Sequence, residues 1–229
     1  MALRVLTWNL YHGRAVPPAG HGLLGPFATA LAGWEWDVSL LQECQPWWPP
    51  ALAHAAGAQH RLAPTSRNLG LPVRQAIAVR APDLIRSNAG GCNALLVRGQ
   101  ITDDRARTLT RRPERRVVHG VEVAGAGWFA NLHATVHDAA AARRDIELAR
   151  TTALDWARGA PLVIGGDLNI RKPILPELEK VATSDVDHLF VRGWRLTGSP
   201  EVLERGRLSD HAPVAVTLEP VARPSPQDA

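Results

Sequence analysis

The stretch Ser209-Asp210-His211-Ala212-Pro213-Val214 sets a carboxylate beside an imidazole, just ahead of the apolar run Val214-Ala215-Val216. A turn is one reading, because Ser and Asp are common turn formers and Pro213 punctuates the chain. The other is an acid–base pair at the mouth of a strand, and the rest of the chain favours it. Strand-like runs repeatedly end in polar residues: 3–8 at Asn9, 38–42 at Glu43, 128–132 at His133, and 162–166 at Asp167, followed by Asn169. Asp187-His188 opens the run 189–191. One such residue is an ordinary loop position. Six in a chain of 229 residues predict strands that converge and present these groups along one sheet edge.

The residue types fit one chemistry. Asp167 and Asn169 lie two apart, so in extended backbone their side chains share a face. Gly165-Gly166 before them permits a close backbone approach or an unusual turn, with a plain Gly-rich turn as the alternative. Asn, Glu and Asp are hard oxygen ligands, matched to Mg²⁺ or Mn²⁺ and poorly to zinc. A His–Asp pair suits water activation: the carboxylate fixes the tautomer and the imidazole moves the proton. Oxygen-ligated metal, histidine base and basic surroundings together point to phosphoester hydrolysis, where charge on the phosphate must be neutralised.

Behind these groups, the sequence predicts helices over 21–34, 46–56 and 139–158. Asp138 caps the last and Gly159 stops it. Short β-like runs include 76–80, 94–97 and 117–123, and further strands are expected over 187–191 and 214–218. Many antiparallel-looking strands with few helices argue for α/β layers rather than a βαβ repeat. A single domain over 1–219 with a flexible, Pro-rich tail over 220–229 is expected. At 45% hydrophobic and 21% charged residues the chain is globular in composition. Net charge is +4, and only Lys172 and Lys180 are lysines. That balance suits a polyanionic or phosphorylated partner, with coding bias as the alternative. Cys44 and Cys92 form no disulfide framework and no zinc spacing, so buried free thiols are expected. No run is long and apolar enough for a membrane span, and the N-terminus lacks a charged-then-apolar leader, so a soluble cytoplasmic protein is expected.

The ordered motifs TWN, LQE, NLHA, GDLN, DHLF and SDH, spread from residue 7 to 213, resemble the endonuclease/exonuclease/phosphatase superfamily. That group includes pancreatic-type deoxyribonucleases, abasic-site endonucleases, neutral sphingomyelinases and inositol polyphosphate phosphatases. The resemblance implies an α/β (α+β) four-layer sandwich, with two mixed, mostly antiparallel β-sheets packed face to face and flanked by helices. It implies a metal-dependent phosphoesterase using Mg²⁺ or Mn²⁺. By position, Glu43 resembles the principal metal ligand, with Asn9 beside it and Asp210 nearby. His211 resembles the catalytic histidine, oriented by Asp187. Asp167 and Asn169 resemble the pair that positions the attacking water and holds phosphoryl oxygens, and His133 the second histidine, which contacts phosphate. Asn93 stands where many members carry a polar residue near the site. Arg115 or Arg116 is a candidate for a phosphate oxygen, the alternative being a solvated strand edge. The chain also departs from the pattern. Only about 17 residues separate Asn169 from Asp187, fewer than in several nucleases of the group. Tyr11, the one tyrosine, lies in the first loop and does not match that of abasic-site endonucleases. His12-Gly13-Arg14 in that loop either lines the cleft or is plain loop.

Three functions are open. A nuclease or phosphodiesterase acting on DNA or RNA is motivated by Arg105, Arg107, Arg111, Arg112, Arg115 and Arg116 as phosphate contacts, against a mobile solvated hairpin. A phosphatase or phosphodiesterase on a small or lipid phosphate is motivated by the compact loops, with Trp47-Trp48-Pro49-Pro50 as an apolar rim or as helix packing. A non-catalytic binding module is disfavoured by the completeness of the polar set.

Overall fold

The computed structural model describes residues 2–66 and 68–221; the predicted tail from 222 onward lies outside them. The first half runs β1 (Leu3–Asn9), α1 (Leu24–Gly33), β2 (Val38–Cys44), α2 (Pro49–Ala55), β3 (Gln59–Pro64), α3 (Leu71–Arg80), α4 (Pro82–Ile85) and β4 (Cys92–Val97). The second runs β5 (Ile101–Thr110), β6 (Arg116–Val123), β7 (Gly127–His133), α5 (Ala139–Ala157), β8 (Leu162–Asp167), β9 (Glu179–Ser184), β10 (Asp187–Arg192), β11 (Trp194–Val202) and β12 (Val214–Pro220). They build two six-stranded sheets, ordered β11-β12-β1-β2-β4-β3 and β5-β6-β7-β8-β10-β9. Each sheet has one parallel pair at its centre, β1–β2 and β7–β8, among antiparallel neighbours.

Alternation along the strands produces three apolar layers. Val5, Val38, Leu40, Leu95, Phe129, Val163, Leu189 and Val216 fill the space between the sheets. The opposite face of the first sheet, with Leu6, Trp8, Leu41 and Leu96, is covered by Phe27 and Leu31 of α1 and Leu52 of α2. That of the second, with Val118, Ala130, Leu132, Leu162 and Ile164, is covered by Ala142, Ile146, Ala149 and Ala153 of α5. The result is the α/β four-layer sandwich expected from the motifs. Helix α5 begins as its sequence predicts, with the Asp138 carboxylate accepting from the N–H groups of Ala140 and Ala141, both at 2.9 Å.

Two expectations are corrected, and two strands are added. Residues 76–80 are not β-like: they form the end of helix α3, which Gly70 enters from a left-handed φ of 68° and a proline opens at the first turn. The β-branched Ile77 and Val79 are exposed there rather than paired. Strands β9 and β11, for which the sequence raised no expectation, carry no apolar run, because most of their residues are exposed. Pro220, assigned to the tail, closes β12 opposite Trp194.

Between the sheets a buried pair of amides interrupts the apolar layer. Gln42 of β2 donates through Nε2 to Oδ1 of Asn131 on β7 at 2.8 Å. Asn131 in turn donates to the carbonyls of Leu41 and Ala94, at 2.8 and 2.9 Å. Both side chains are fully buried. Asn131→Leu keeps the branched shape but leaves two buried carbonyls short of a donor, an expected loss of about 2–4 kcal/mol. Urea unfolding followed by circular dichroism measures it, and an unchanged midpoint would show that the sheets need no such lock.

Candidate active site

The strand ends meet in one cleft of about 530 Å³. Glu43, Asn93, Arg115, Arg116, His133, Asp167, Asn169, Asp210 and His211 line it, as do Tyr11 and His12 of the first loop. Asn9 and Asp187 stand behind this lining and hold its members. The parallel pairs explain the convergence. His133 at the end of β7 is in register with Asp167 at the end of β8, and Asp167 is in register with Asp187, which opens β10. Asn9 of the other sheet then reaches across, donating through Nδ2 to Asp167 Oδ2 at 3.0 Å.

Glu43 owes its direction to a bulge. The β2–β4 register slips between Leu41 and Cys44, and Glu43 takes a left-handed φ of 48°. An extra residue at a bulge re-aims a side chain, and here it turns Glu43 into the cleft while Gln42 and Cys44 stay buried. Its carboxylate lies 3.2 Å from His12 Nε2 and 3.8 Å from His133 Nδ1. Burial pushes the Glu43 carboxyl up to about 7; His211, Arg116 and Arg14 oppose the rise and Asp210 adds to it.

The SDH stretch is both a turn and a site. Ser209 has a left-handed φ of 61° and donates through Oγ to Asn9 O at 2.7 Å, while the His211 N–H donates to Ser209 Oγ at 3.0 Å. Trp8 Nε1 donates to His211 O at 3.1 Å. The turn is thereby fastened to the end of β1, ahead of β12. His211 Nδ1 lies 2.7 Å from Asp187 Oδ2, and Nε2 faces Asp167 Oδ2 at 3.8 Å and Asp210 Oδ1 at 3.9 Å. Burial alone would lower the His211 pKa. The bond to Asp187 and the charges of Asp187, Asp167 and Asp210 outweigh it and raise it to about 9. Burial raises Asp187 to about 6 against the pull of His211. At neutral pH the proton therefore rests on the imidazole. His133 is the opposite case: burial, then the charges of Arg116, His12 and His211, hold it well below the usual range, so it is neutral.

Asp167 and Asn169 do meet, but not by strand alternation. β8 stops at Asp167, Asn169 has a φ of 51°, and the Asn169 N–H donates to Asp167 Oδ1 at 3.0 Å. An Asx-type turn replaces the extended geometry. The glycines before them allow the close approach the sequence suggested. A Cβ on Gly165 would stand 2.3 Å from His188 O, and one on Gly166 2.1 Å from Leu132 O.

The remaining candidates divide. Asn93 is buried in β4; its Nδ2 donates to Val117 O at 2.8 Å, and no side-chain partner meets its Oδ1 among the described residues. Arg116 is 6% exposed and pairs with Glu114 at 2.8 Å, so it is not a solvated strand edge, whereas Arg115 lies exposed on the rim. Arg105 and Arg107 are engaged away from the cleft. Arg105 pairs with Asp103 and lies over the Trp128 ring, and Arg107 donates to Thr152 of α5. They belong to β5, not to a mobile hairpin. Trp48 is 3% exposed and packs on Phe27, so it forms no rim. Cys44 and Cys92 are free and buried. His188 of DHLF serves the fold, its ring nitrogens meeting Ile170 O and Thr183 Oγ1.

The donor set fits a divalent cation. Glu43, Asp167 and Asp210 line one opening, and no guanidinium or ammonium among the described residues is hydrogen-bonded to Glu43 or Asp167. Asp167, Asp187 and His211 also bring ligand-type atoms within 4.8 Å of one another. There, however, the Asp187–His211 bond already occupies Nδ1, which suits proton transfer better than ligation.

The raised Glu43 pKa has a stability consequence in the metal-free protein. The native state holds the proton more tightly than the unfolded chain, so unfolding free energy falls as pH rises from about 4.5 to about 7. In chelator, Glu43→Gln should be more stable than the wild type at pH 8, and the gap should close below pH 4.5. His211 adds stability that is complete below about 6.5 and lost as pH rises through about 9. Urea unfolding across this range checks both signs; a Glu43→Gln variant no more stable at pH 8 would contradict the assignment.

The model of the endonuclease/exonuclease/phosphatase family matches residues 6–211. Among the curated proteins no sequence match was found. Similar solved structures include an endonuclease/exonuclease/phosphatase from Beutenbergia cavernae, 18% identical, covering 96% of this chain and 72% of that one, with a TM-score of 0.74. A mannosyl-6-phosphatase of Bacteroides thetaiotaomicron is 18% identical, covering 95% and 99%, with a TM-score of 0.71. TDP2 from Caenorhabditis elegans is 14% identical, covering 95% and 75%, with a TM-score of 0.68. At these identities the structures speak to the fold, while the motif order across residues 6–211 speaks to the family. The chain belongs to the endonuclease/exonuclease/phosphatase family and is a phosphoester hydrolase.

Proposed function

We propose that this protein hydrolyses a compact phosphoester, with a divalent cation, Mg²⁺ or Mn²⁺, held at Glu43. The observation that carries this reading is the cleft itself. One buried arginine, one rim arginine and one His–Asp pair face a space of about 530 Å³, within the range of small-molecule sites. In this assignment Asp187 orients His211 and balances its charge, and His211 Nε2 takes the proton of the attacking water. Asp167, fixed by Asn9 and Asn169, positions that water. Arg116 and neutral His133 hold phosphoryl oxygens, with the Asn93 amide beside them. Asp210 and Asn9 support the cation at Glu43. A cation there would supply positive charge to the phosphate and, by offsetting Asp167 and Asp210, free the proton that holds His211 in its charged form.

A second reading keeps phosphoester hydrolysis and makes the substrate a nucleic acid. Arg111, Arg112 and Arg115 at the tip between β5 and β6 are exposed beside the cleft, and the net charge is +4. Arg105 and Arg107 no longer support it, since both are bonded elsewhere.

His211→Ala should lower turnover by roughly 10² to 10⁴, the usual scale for a general acid–base group. Asp187→Asn should cost less, because the base survives with poorer orientation. Turnover of a sugar phosphate panel and nicking of supercoiled plasmid, each with Mg²⁺ and with chelator, separate the two substrates. Faster turnover of the small phosphoesters supports the first reading. Efficient nicking that falls steeply with salt and needs His211 would replace it with the second.

A further inference from the structure

The first loop carries more strain than a loop that merely closes a cleft requires. Tyr11, His12 and Gly13 follow one another at φ 49°, 53° and 74°, all left-handed. A non-glycine residue held there is strained, and persists only where its surroundings over-determine it. They do. The Tyr11 N–H donates to Asn9 Oδ1 at 2.9 Å, and Gln45 Nε2 donates to His12 O at 2.8 Å. The Gly13 N–H donates to Leu10 O at 2.8 Å. Gly13 itself has no room for a side chain, since a Cβ would stand 2.2 Å from the Trp48 ring. The Arg14 guanidinium lies over the Tyr11 ring at 3.7 Å.

All of this presents one group. His12 Nε2 stands 3.2 Å from Glu43 Oε2, with the two side chains 12% and 20% exposed. Glu43 is itself left-handed on its bulge. Two strained backbones thus bring an imidazole nitrogen and a carboxylate oxygen together at the mouth of the cleft. Neighbouring donor atoms on one octahedral ion, at the usual bond lengths of roughly 2.1 Å, lie about 3 Å apart. The His12–Glu43 separation matches that spacing. Imidazole nitrogen suits first-row transition ions, whereas Mg²⁺ favours an all-oxygen shell.

We propose that His12 is a metal ligand, and that with Glu43 it forms a mixed nitrogen–oxygen site that prefers Mn²⁺ or Co²⁺ to Mg²⁺. This rests on Glu43 as the metal-binding carboxylate. It changes the expectation of a purely hard-oxygen site, because the nitrogen comes from a loop whose role the motifs left open.

The test is calorimetric titration of MnCl₂, CoCl₂ and MgCl₂ into chelator-stripped protein, with pulsed electron paramagnetic resonance of the Mn²⁺-loaded form. His12→Gly and His12→Asn are the variants, since Gly and Asn both tolerate the left-handed turn. Wild type should bind Mn²⁺ and Co²⁺ at least 10-fold tighter than Mg²⁺, on the scale by which metal-site partners alter affinity. His12→Gly should lose most of that ratio while changing Mg²⁺ affinity by less than about 3-fold, and nitrogen modulation of the Mn²⁺ signal should weaken. His12→Asn, with an oxygen in place of the nitrogen, should behave alike, so misfolding of one variant leaves the other as the test. An unchanged metal ratio and unchanged nitrogen modulation in the variants would overturn the proposal and reduce His12 to a hydrogen-bond partner of Glu43. Glu43→Gln keeps the two readings apart. If it weakens every metal while the His12 variants change no preference, His12 alone is misassigned. If it weakens none, the Glu43 site fails and this inference fails with it.

Discussion

The hydrogen bond between Gln42 and Asn131 sets the frame on which the site depends. It is a fully buried polar lock in a largely apolar interface, and it ties β2 of one sheet to β7 of the other. Apolar side chains resist separation of the sheets but are indifferent to small slides, whereas paired amides tolerate neither slip nor rotation. Gln42 directly precedes Glu43, and Asn131 lies two residues before His133. The lock therefore sits immediately beneath the cleft and fixes the carboxylate of one sheet against the imidazole of the other. The Asn9–Asp167 bond repeats the arrangement one layer higher, with groups that also face the chemistry.

Above that lock the site is a crowd of carboxylates in a partly dry cleft. Desolvation raises Glu43, Asp167 and Asp187, while the bond to Asp187 and the charges of Asp187, Asp167 and Asp210 raise His211 in spite of its burial. The same field cannot be relieved by a bonded arginine, since Arg116 is turned to Glu114. A site that is electrostatically unfavourable when empty is suited to hold a cation and a phosphate, whose charges offset those of the protein and of one another. Its backbone carries a matching cost: Tyr11, His12, Glu43, Asn169 and Ser209 all adopt left-handed conformations, and all border the cleft or fasten a group that does. Left-handed residues occur elsewhere too, at Arg86, Arg158, Glu177 and Asp185, but the cleft gathers the largest group of them, and functional sites are where such strain usually collects.

Much of this was legible in the chain. The strand-end residues Asn9, Glu43, His133, Asp167 and Asp187 could be found because buried central strands are short apolar runs, so the first polar residue after each stands out. Helix α5 was legible through its cap and its apolar spacing. The edge strands β9 and β11 were not, because their largely exposed residues leave no apolar run to read. Helix α3 was misread because its apolar residues face solvent and follow no buried stripe. The arginine run looked like one surface. Folding divided it, sending Arg105 and Arg107 to Trp128 and α5 and Arg116 to the cleft. Gln42, Asn131 and Ser209 all lay inside recognised motifs, but nothing local distinguishes an amide that locks two sheets from one that faces water.

The sequence by itself determined which side chains could do chemistry, that they stood at strand ends, and which family the motif order resembles. Those are properties of residue type and of spacing along the chain. Only the tertiary structure decided how the groups face each other: that a bulge turns Glu43 inward, that an Asx-type turn rather than strand alternation joins Asn169 to Asp167, and that His12 meets Glu43. The physical reason is that each of these depends on a left-handed residue or a register slip held by partners distant in sequence. A local pattern carries no record of a conformation that its own segment disfavours and the surrounding fold imposes.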